Sequence, residues 1–139
     1  MLPNWEIALA EYINRCSRKP FKWGEQDCLT FANTAYHKIK GFGFADEFLG
    51  SYTTAKGAAV AHARFLKKTG YKDIIEGFDD RMTRLQTKYP PRGTVVARPQ
   101  EGNEFIPYAF GIMVNQYCAF VGSEYLIFSK PTDDMMFWS

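Results

Sequence analysis

Apolar residues first recur at helical spacing near the start of the chain. Trp5, Ala8, Leu9, Tyr12, Ile13 and Cys16 fall on one face, which predicts an amphipathic helix over residues 4–16 with Asn4 as its N-cap. Ser17 to Pro20 is a polar break that proline keeps from continuing as helix. A second stripe, Cys28, Phe31, Ala32, Ala35, Tyr36 and Ile39, predicts a helix from Cys28 to Lys40, capped by Asp27 and stopped at Gly41. Gly41 to Ser51 is expected to be a loop. A third stripe, Ala55, Ala58, Ala59, His62, Phe65 and Leu66, predicts a helix capped by Thr53 or Thr54 and ended by Gly70. Between Tyr71 and Tyr89 the pattern is short-ranged: Ile74-Ile75 suggests a strand and Arg81 to Leu85 a helical turn.

The period changes after the break Pro90-Pro91-Arg92-Gly93. Thr94 to Arg98 reads as a strand ended by Pro99, and Gln100 to Pro107 as a polar loop. Ala109–Val114, Tyr117–Val121 and Tyr125–Ser129 read as strands joined by tight turns at Asn115-Gln116 and Gly122-Ser123. Such spacing predicts an antiparallel meander. Asp133 to Trp138 ends the chain with an apolar group expected to dock on the body. Helices first and a meander last define an α+β class in one domain over residues 1–139. The helix beginning at Cys28 is expected to pack on a sheet formed mainly by residues 94–129.

Composition narrows the function classes. Of 139 residues, 46% are hydrophobic and 17% aromatic, which excludes disorder and predicts bulky buried side chains. The net charge is +2, from 17 basic and 15 acidic residues, and the basic residues are dispersed, so neither nucleic acid nor a membrane surface is an expected partner. No apolar run is long enough for membrane insertion. Met1 to Glu6 has no basic region leading into an apolar run, so no signal peptide is expected. Cys16, Cys28 and Cys118 are too few and too scattered for a disulfide framework or a zinc site; no metal and no cofactor are expected.

One stretch carries candidate chemistry: Phe21-Lys22-Trp23-Gly24-Glu25-Gln26-Asp27-Cys28. It reads as a loop turning at Trp23-Gly24, with Asp27 capping a helix whose first residue is Cys28. A thiol there meets free backbone N–H groups and the positive end of the helix dipole, conditions that favour a nucleophilic thiolate. His37 follows nine residues later, over two turns away and out of phase, and is expected at the surface. His62, within the third stripe, is expected to be half-buried. Cys16 is expected as a small buried hydrophobe.

Taken together, Trp23-Gly24, Asp27-Cys28 and Phe31 resemble the nucleophile motif of the NlpC-type, papain-like cysteine peptidases that cut bacterial cell-wall peptides. Arg92-Gly93-Thr94-Val95-Val96 is similar to that family's first core strand, and Ala109-Phe110-Gly111-Ile112 to its second. These blocks span most of the chain, and the likeness is greatest to small proteins of this type encoded among phage tail genes. The resemblance implies a papain-like fold with Cys28 at the nucleophile position. It also places Ala109 where the family has its catalytic histidine, Leu29-Thr30 where Ser-Gly follows the nucleophile, Thr94 in place of an aspartate, and Phe120 or Val121 where a polar residue orients the histidine.

Thiol attack on an amide needs a base to form the thiolate and an acid to protonate the leaving amine. With Ala109 at the histidine position, the expected role is a structural component of a phage tail tip with an inactive peptidase-like fold. It would travel in the virion after synthesis in the bacterial cytoplasm and bind tail hub or baseplate proteins. An active cell-wall peptidase or amidase using Cys28 on peptidoglycan, and a cytoplasmic thiol enzyme such as an acyltransferase, are the alternatives. Tyr108, Tyr117 and Glu124 are the other groups expected near the thiol. Aromatic pairs at Phe42 and Phe44, Phe105 and Tyr108, and Phe137 and Trp138 are the expected interface anchors.

Overall fold

The computed structural model describes residues 1–100 and 106–139. Among these, four α-helices precede or flank a six-stranded antiparallel sheet: α1 Trp5–Cys16, α2 Cys28–Lys40, α3 Ala55–Thr69, α4 Ile74–Arg81, β1 Arg84–Leu85, β2 Val95–Pro99, β3 Tyr108–Val114, β4 Tyr117–Val121, β5 Leu126–Ser129 and β6 Met136–Trp138. The strand order is β1-β6-β2-β3-β4-β5. The meander β2 to β5 matches the expected strands closely, and no described helix is long and apolar enough to cross a membrane.

The helix signals in the sequence are local and are met locally. Asp27 caps α2 by accepting from Thr30 N, and Gly41 ends it in the left-handed conformation. Thr54 caps α3 through Gly57 N, and Gly70 ends it. Asn4 departs from expectation: it precedes α1 with φ 59° and makes no side-chain cap. The stripe of α1 packs on α2 through the buried Leu9, Tyr12, Ile13 and Cys16, and α2 in turn lies on β3.

Residues 71–89 invert the expected assignment. Ile74-Ile75 opens helix α4, because Asp73 accepts from Glu76 N and supplies an N-cap that outweighs the strand preference of two β-branched residues. The expected helical turn is instead β1, which pairs with the chain's last strand: Arg84 opposite Trp138 and Leu85 opposite Phe137. The C-terminal residues therefore insert as β6 between β1 and β2. Asp79 fastens this arrangement by accepting from Trp138 Nε1 at 2.8 Å and Arg84 Nε at 2.9 Å.

The core is mainly aromatic and joins helices to sheet. Phe78 of α4 is fully buried, with its ring edge-on to Phe44, Phe110 and Trp138 at 4.9, 5.4 and 6.3 Å. Phe44 and Phe48, in the 41–51 loop, are buried too, so that loop feeds the core and Phe44 is no surface anchor. Phe137 and Trp138 are likewise buried. Phe42 stays exposed, resting edge-on against Tyr36 at 5.7 Å. Phe105 lies outside the described residues. The large apolar side chains left in solvent are elsewhere, among them Tyr89, Tyr117, Tyr125, Ile127 and Phe128. The sheet face away from the helices has its own buried cluster of Val96, Ala109, Met113, Cys118, Phe120, Met135 and Phe137.

Asn33 ties the same loop to α2. Its Nδ2 donates to Asp46 Oδ1 and its Oδ1 accepts from Ala45 N, both at 2.8 Å. His37 Nε2 lies 2.8 Å from the same Asp46 oxygen, so the partly exposed His37 has a carboxylate partner. Burial pushes the Asp46 carboxyl up, but the bonds from Asn33 and His37 outweigh it and hold it below its ordinary value.

Candidate functional site

The residues Lys22 to Gln26 form a tight turn that delivers Cys28 to the head of α2. Gln26 N donates to Lys22 O at 2.7 Å, and Lys22 N returns a bond to Gln26 O at 3.1 Å. Gly24 carries φ 82°, a left-handed conformation that glycine adopts without a Cβ penalty. A side chain there would also strike Tyr52 O, 2.1 Å from the Cβ position. The turn is fixed to the rest of the chain by Gly50 N donating to Gly24 O at 2.9 Å. Trp23 is half-buried, its ring edge-on to Phe21 at 4.6 Å and to Tyr52 at 6.4 Å.

Asp27 is buried and accepts three hydrogen bonds. Oδ1 takes Thr30 N at 3.0 Å, while Oδ2 takes Gly24 N at 2.8 Å and the Tyr52 hydroxyl at 2.7 Å. Thr30 Oγ1 accepts from Asp27 N at 3.1 Å, completing a reciprocal capping box. This carboxylate organises the turn, the helix start and residue 52 together. Burial, followed by the Asp27 charge and hydrogen bond, raises the Tyr52 phenol far above its usual value, so Tyr52 remains a donor. Phe31 is fully buried one turn on, stacked against Tyr12 at 5.7 Å.

Cys28 opens into a cavity of about 150 Å³ at the end of the sheet where β2 and β4 finish and β3 begins. Its lining includes Trp23, Asp27 and Tyr52 from the helical side and Arg98, Gln100, Ala109, Phe120 and Val121 from the sheet side. Ala109, at the position the resemblance assigns to the base, lies on this wall, as do Phe120 and Val121. Gly111, two residues along β3, admits the neighbouring strand: a Cβ there would lie 2.3 Å from Ala119 O. Gly93 precedes β2 and donates its N–H to Met113 O at 2.9 Å.

The thiol's environment favours its neutral form. Burial raises the Cys28 pKa to about 11; the Asp27 charge adds to the rise, while backbone hydrogen bonds from Phe110, Leu29 and Cys28 itself lower it in part. The helix terminus therefore supplies amides to the sulfur, but desolvation dominates. Neither histidine lines this cavity. His37 is engaged by Asp46. His62, on α3, is half-buried with Nε2 lacking a hydrogen-bond partner, and burial depresses its pKa. Tyr108, Tyr117 and Glu124, expected near the thiol, are not among the lining residues; Tyr117 sits at the far end of β4, paired with Val114.

Besides Asp27 and the thiol, the polar residues among the described ones that line the cavity are Tyr52, Arg98 and Gln100. Arg98 stacks over the Phe120 ring, 4.2 Å from its centroid, and is paired across strands with Ala109. Sequence spacing gives no pointer to these three, since they meet Cys28 only through the β2–β3 pairing and the loop carrying Tyr52.

The fold and site thus define an α+β domain with a thiol at a helix N-terminus, set against the end of an antiparallel sheet. The chain belongs to the DUF6950 family, described as a domain of unknown function, whose match runs over residues 1–139. No curated protein and no solved structure matches the chain.

Proposed function

We propose that this chain is a non-catalytic assembly module with an NlpC-like fold, carried at the tip of a phage tail and bound to hub or baseplate proteins. The observation that supports this reading is the lining of the Cys28 cavity, which includes Ala109, Phe120 and Val121, the positions the resemblance assigns to the imidazole and its orienting partner, and includes neither histidine. With burial holding the thiol's pKa near 11, little thiolate forms at neutral pH, and among the described lining residues no group is matched to protonating a leaving amine there.

The binding role is supported by the sheet edge. β5 is a terminal strand, and Tyr125, Ile127 and Phe128 on or beside it are exposed, with Tyr117 on the adjoining strand. The start of that edge is met by Ser17 O, which accepts from Leu126 N at 3.1 Å; aromatic and aliphatic groups exposed along a terminal strand suit a protein partner. The experiment is mass spectrometry of purified phage particles, paired with infectivity of a Cys28→Ala phage. The reading predicts the chain in the particle and infectivity unchanged within about twofold, since only one small side chain is lost. A chain confined to the host cytoplasm, or Cys28-dependent release of peptides from cell-wall fragments, would overturn it.

A further inference from the structure

The sheet face turned away from the helices brings three sulfur atoms together. Cys118 Sγ lies 3.3 Å from Met113 Sδ and 3.8 Å from Met135 Sδ. Met113 is paired with Cys118 across β3–β4, and Cys118 with Ser129 across β4–β5. Directly opposed residues project to one face of a sheet, so Met113, Cys118 and Ser129 form a row. Met135 joins them from the segment leading into β6. The three sulfur-bearing residues are 1%, 0% and 8% exposed, and the Ser129 hydroxyl oxygen is buried without a hydrogen-bond partner.

We propose that Met113, Cys118 and Met135 form a binding site for a soft monovalent cation, copper(I), for which silver(I) is the equivalent probe. One thiolate and two thioethers are the donor set that such an ion selects over harder metals. Metal–sulfur bonds of about 2.3 Å in a trigonal arrangement hold sulfurs about 4 Å apart, so the observed contacts need to open by only tenths of an ångström. Charge favours the same ion. A thiolate with a monovalent cation is neutral, whereas a divalent ion would leave a buried net charge. No cluster of three His, Cys, Asp or Glu residues occurs among the described residues to satisfy zinc.

The site also has access routes. Met113 lines a surface groove of about 490 Å³ and Met135 a second of about 470 Å³, the two sharing Lys88 and Pro131. Each groove is lined by one of the two methionines, and neither is lined by Cys118. On binding, the Cys118 S–H bond breaks, its proton leaves to solvent, and a sulfur–metal bond forms with no change of oxidation state. Without the ion the thiol keeps its proton: burial raises its pKa to about 11, against the lowering effect of the Arg98 charge.

The test is anaerobic copper(I) titration of the full chain against a chromogenic copper(I) chelator, with ultraviolet thiolate-to-metal absorption as the second readout. All proteins carry Cys28→Ala to remove the cavity thiol. One ion per chain and the absorption band are expected. Met113→Leu with Met135→Leu nearly conserves volume, so the apoprotein should keep its unfolding temperature within a few degrees. Its affinity should drop roughly tenfold or more, about 1.4 kcal/mol of lost ligation, and Cys118→Ser should abolish the band. Affinity unchanged in the double methionine variant, an undiminished band in Cys118→Ser, or absence of binding by the parent protein would each overturn the proposal.

Discussion

Asp27→Ala is expected to destabilise the protein by about 3–5 kcal/mol. The carboxylate satisfies the Thr30 amide, the Gly24 amide and the Tyr52 hydroxyl at once, in a setting only 3% exposed. Loss of an N-cap costs about 1 kcal/mol, and each buried donor left unpaired costs about 1–3 kcal/mol. Gly24 N has Asp27 Oδ2 as its acceptor, and its left-handed conformation is set by the turn. Tyr52→Phe removes only one of the three bonds and should cost about 1 kcal/mol. Thermal unfolding of the two variants separates the cases, with a fall of roughly 10 °C or more for Asp27→Ala and a few degrees for Tyr52→Phe. Equal, small effects would mean that Asp27 does not organise the head of α2.

Phe78→Ala is expected to be as severe, at about 4–5 kcal/mol, near the top of the range for emptying a buried aromatic site. The ring is fully buried and touches aromatics from three separate regions: Phe44 of the 41–51 loop, Phe110 of β3 and Trp138 of β6. Those neighbours belong to elements held by their own hydrogen bonds, so the cavity cannot collapse cheaply. Phe78→Leu refills most of the volume and should cost about half as much. Urea unfolding curves measure both; a loss under about 1 kcal/mol for alanine would contradict the packing described for α4.

These two residues also mark what could be read from the sequence. Asp27, Cys28 and Gly41 define α2 because capping acts over three or four residues and leaves its signature in the immediate sequence. The meander was legible for a similar reason, since alternation and tight turns are local. β1 was not, because Arg84 and Leu85 become a strand only by pairing with Trp138 and Phe137, more than fifty residues away. Asp73 and Glu76 at capping spacing were a signal for α4 that the adjacent isoleucines obscured. The cavity around Cys28 divides in the same way. Its thiol, turn and cap were visible as a contiguous stretch, whereas Tyr52, Arg98 and Gln100 arrive by tertiary packing. The aromatic pair of the 41–51 loop illustrates the converse error: glycine-rich flanks suggest surface for both Phe42 and Phe44, yet only Phe42 is exposed and Phe44 is a core residue.

The most direct test of the claim that Cys28 is not a catalytic nucleophile is its alkylation rate with iodoacetamide as a function of pH, read by peptide mass spectrometry so that Cys16 and Cys118 do not contribute. A thiol with a pKa near 11 should react slowly at neutral pH and quicken about tenfold per pH unit up to roughly pH 10, following the thiolate fraction. A rate that has already levelled off at or below neutral pH would reveal a preformed thiolate and contradict the account.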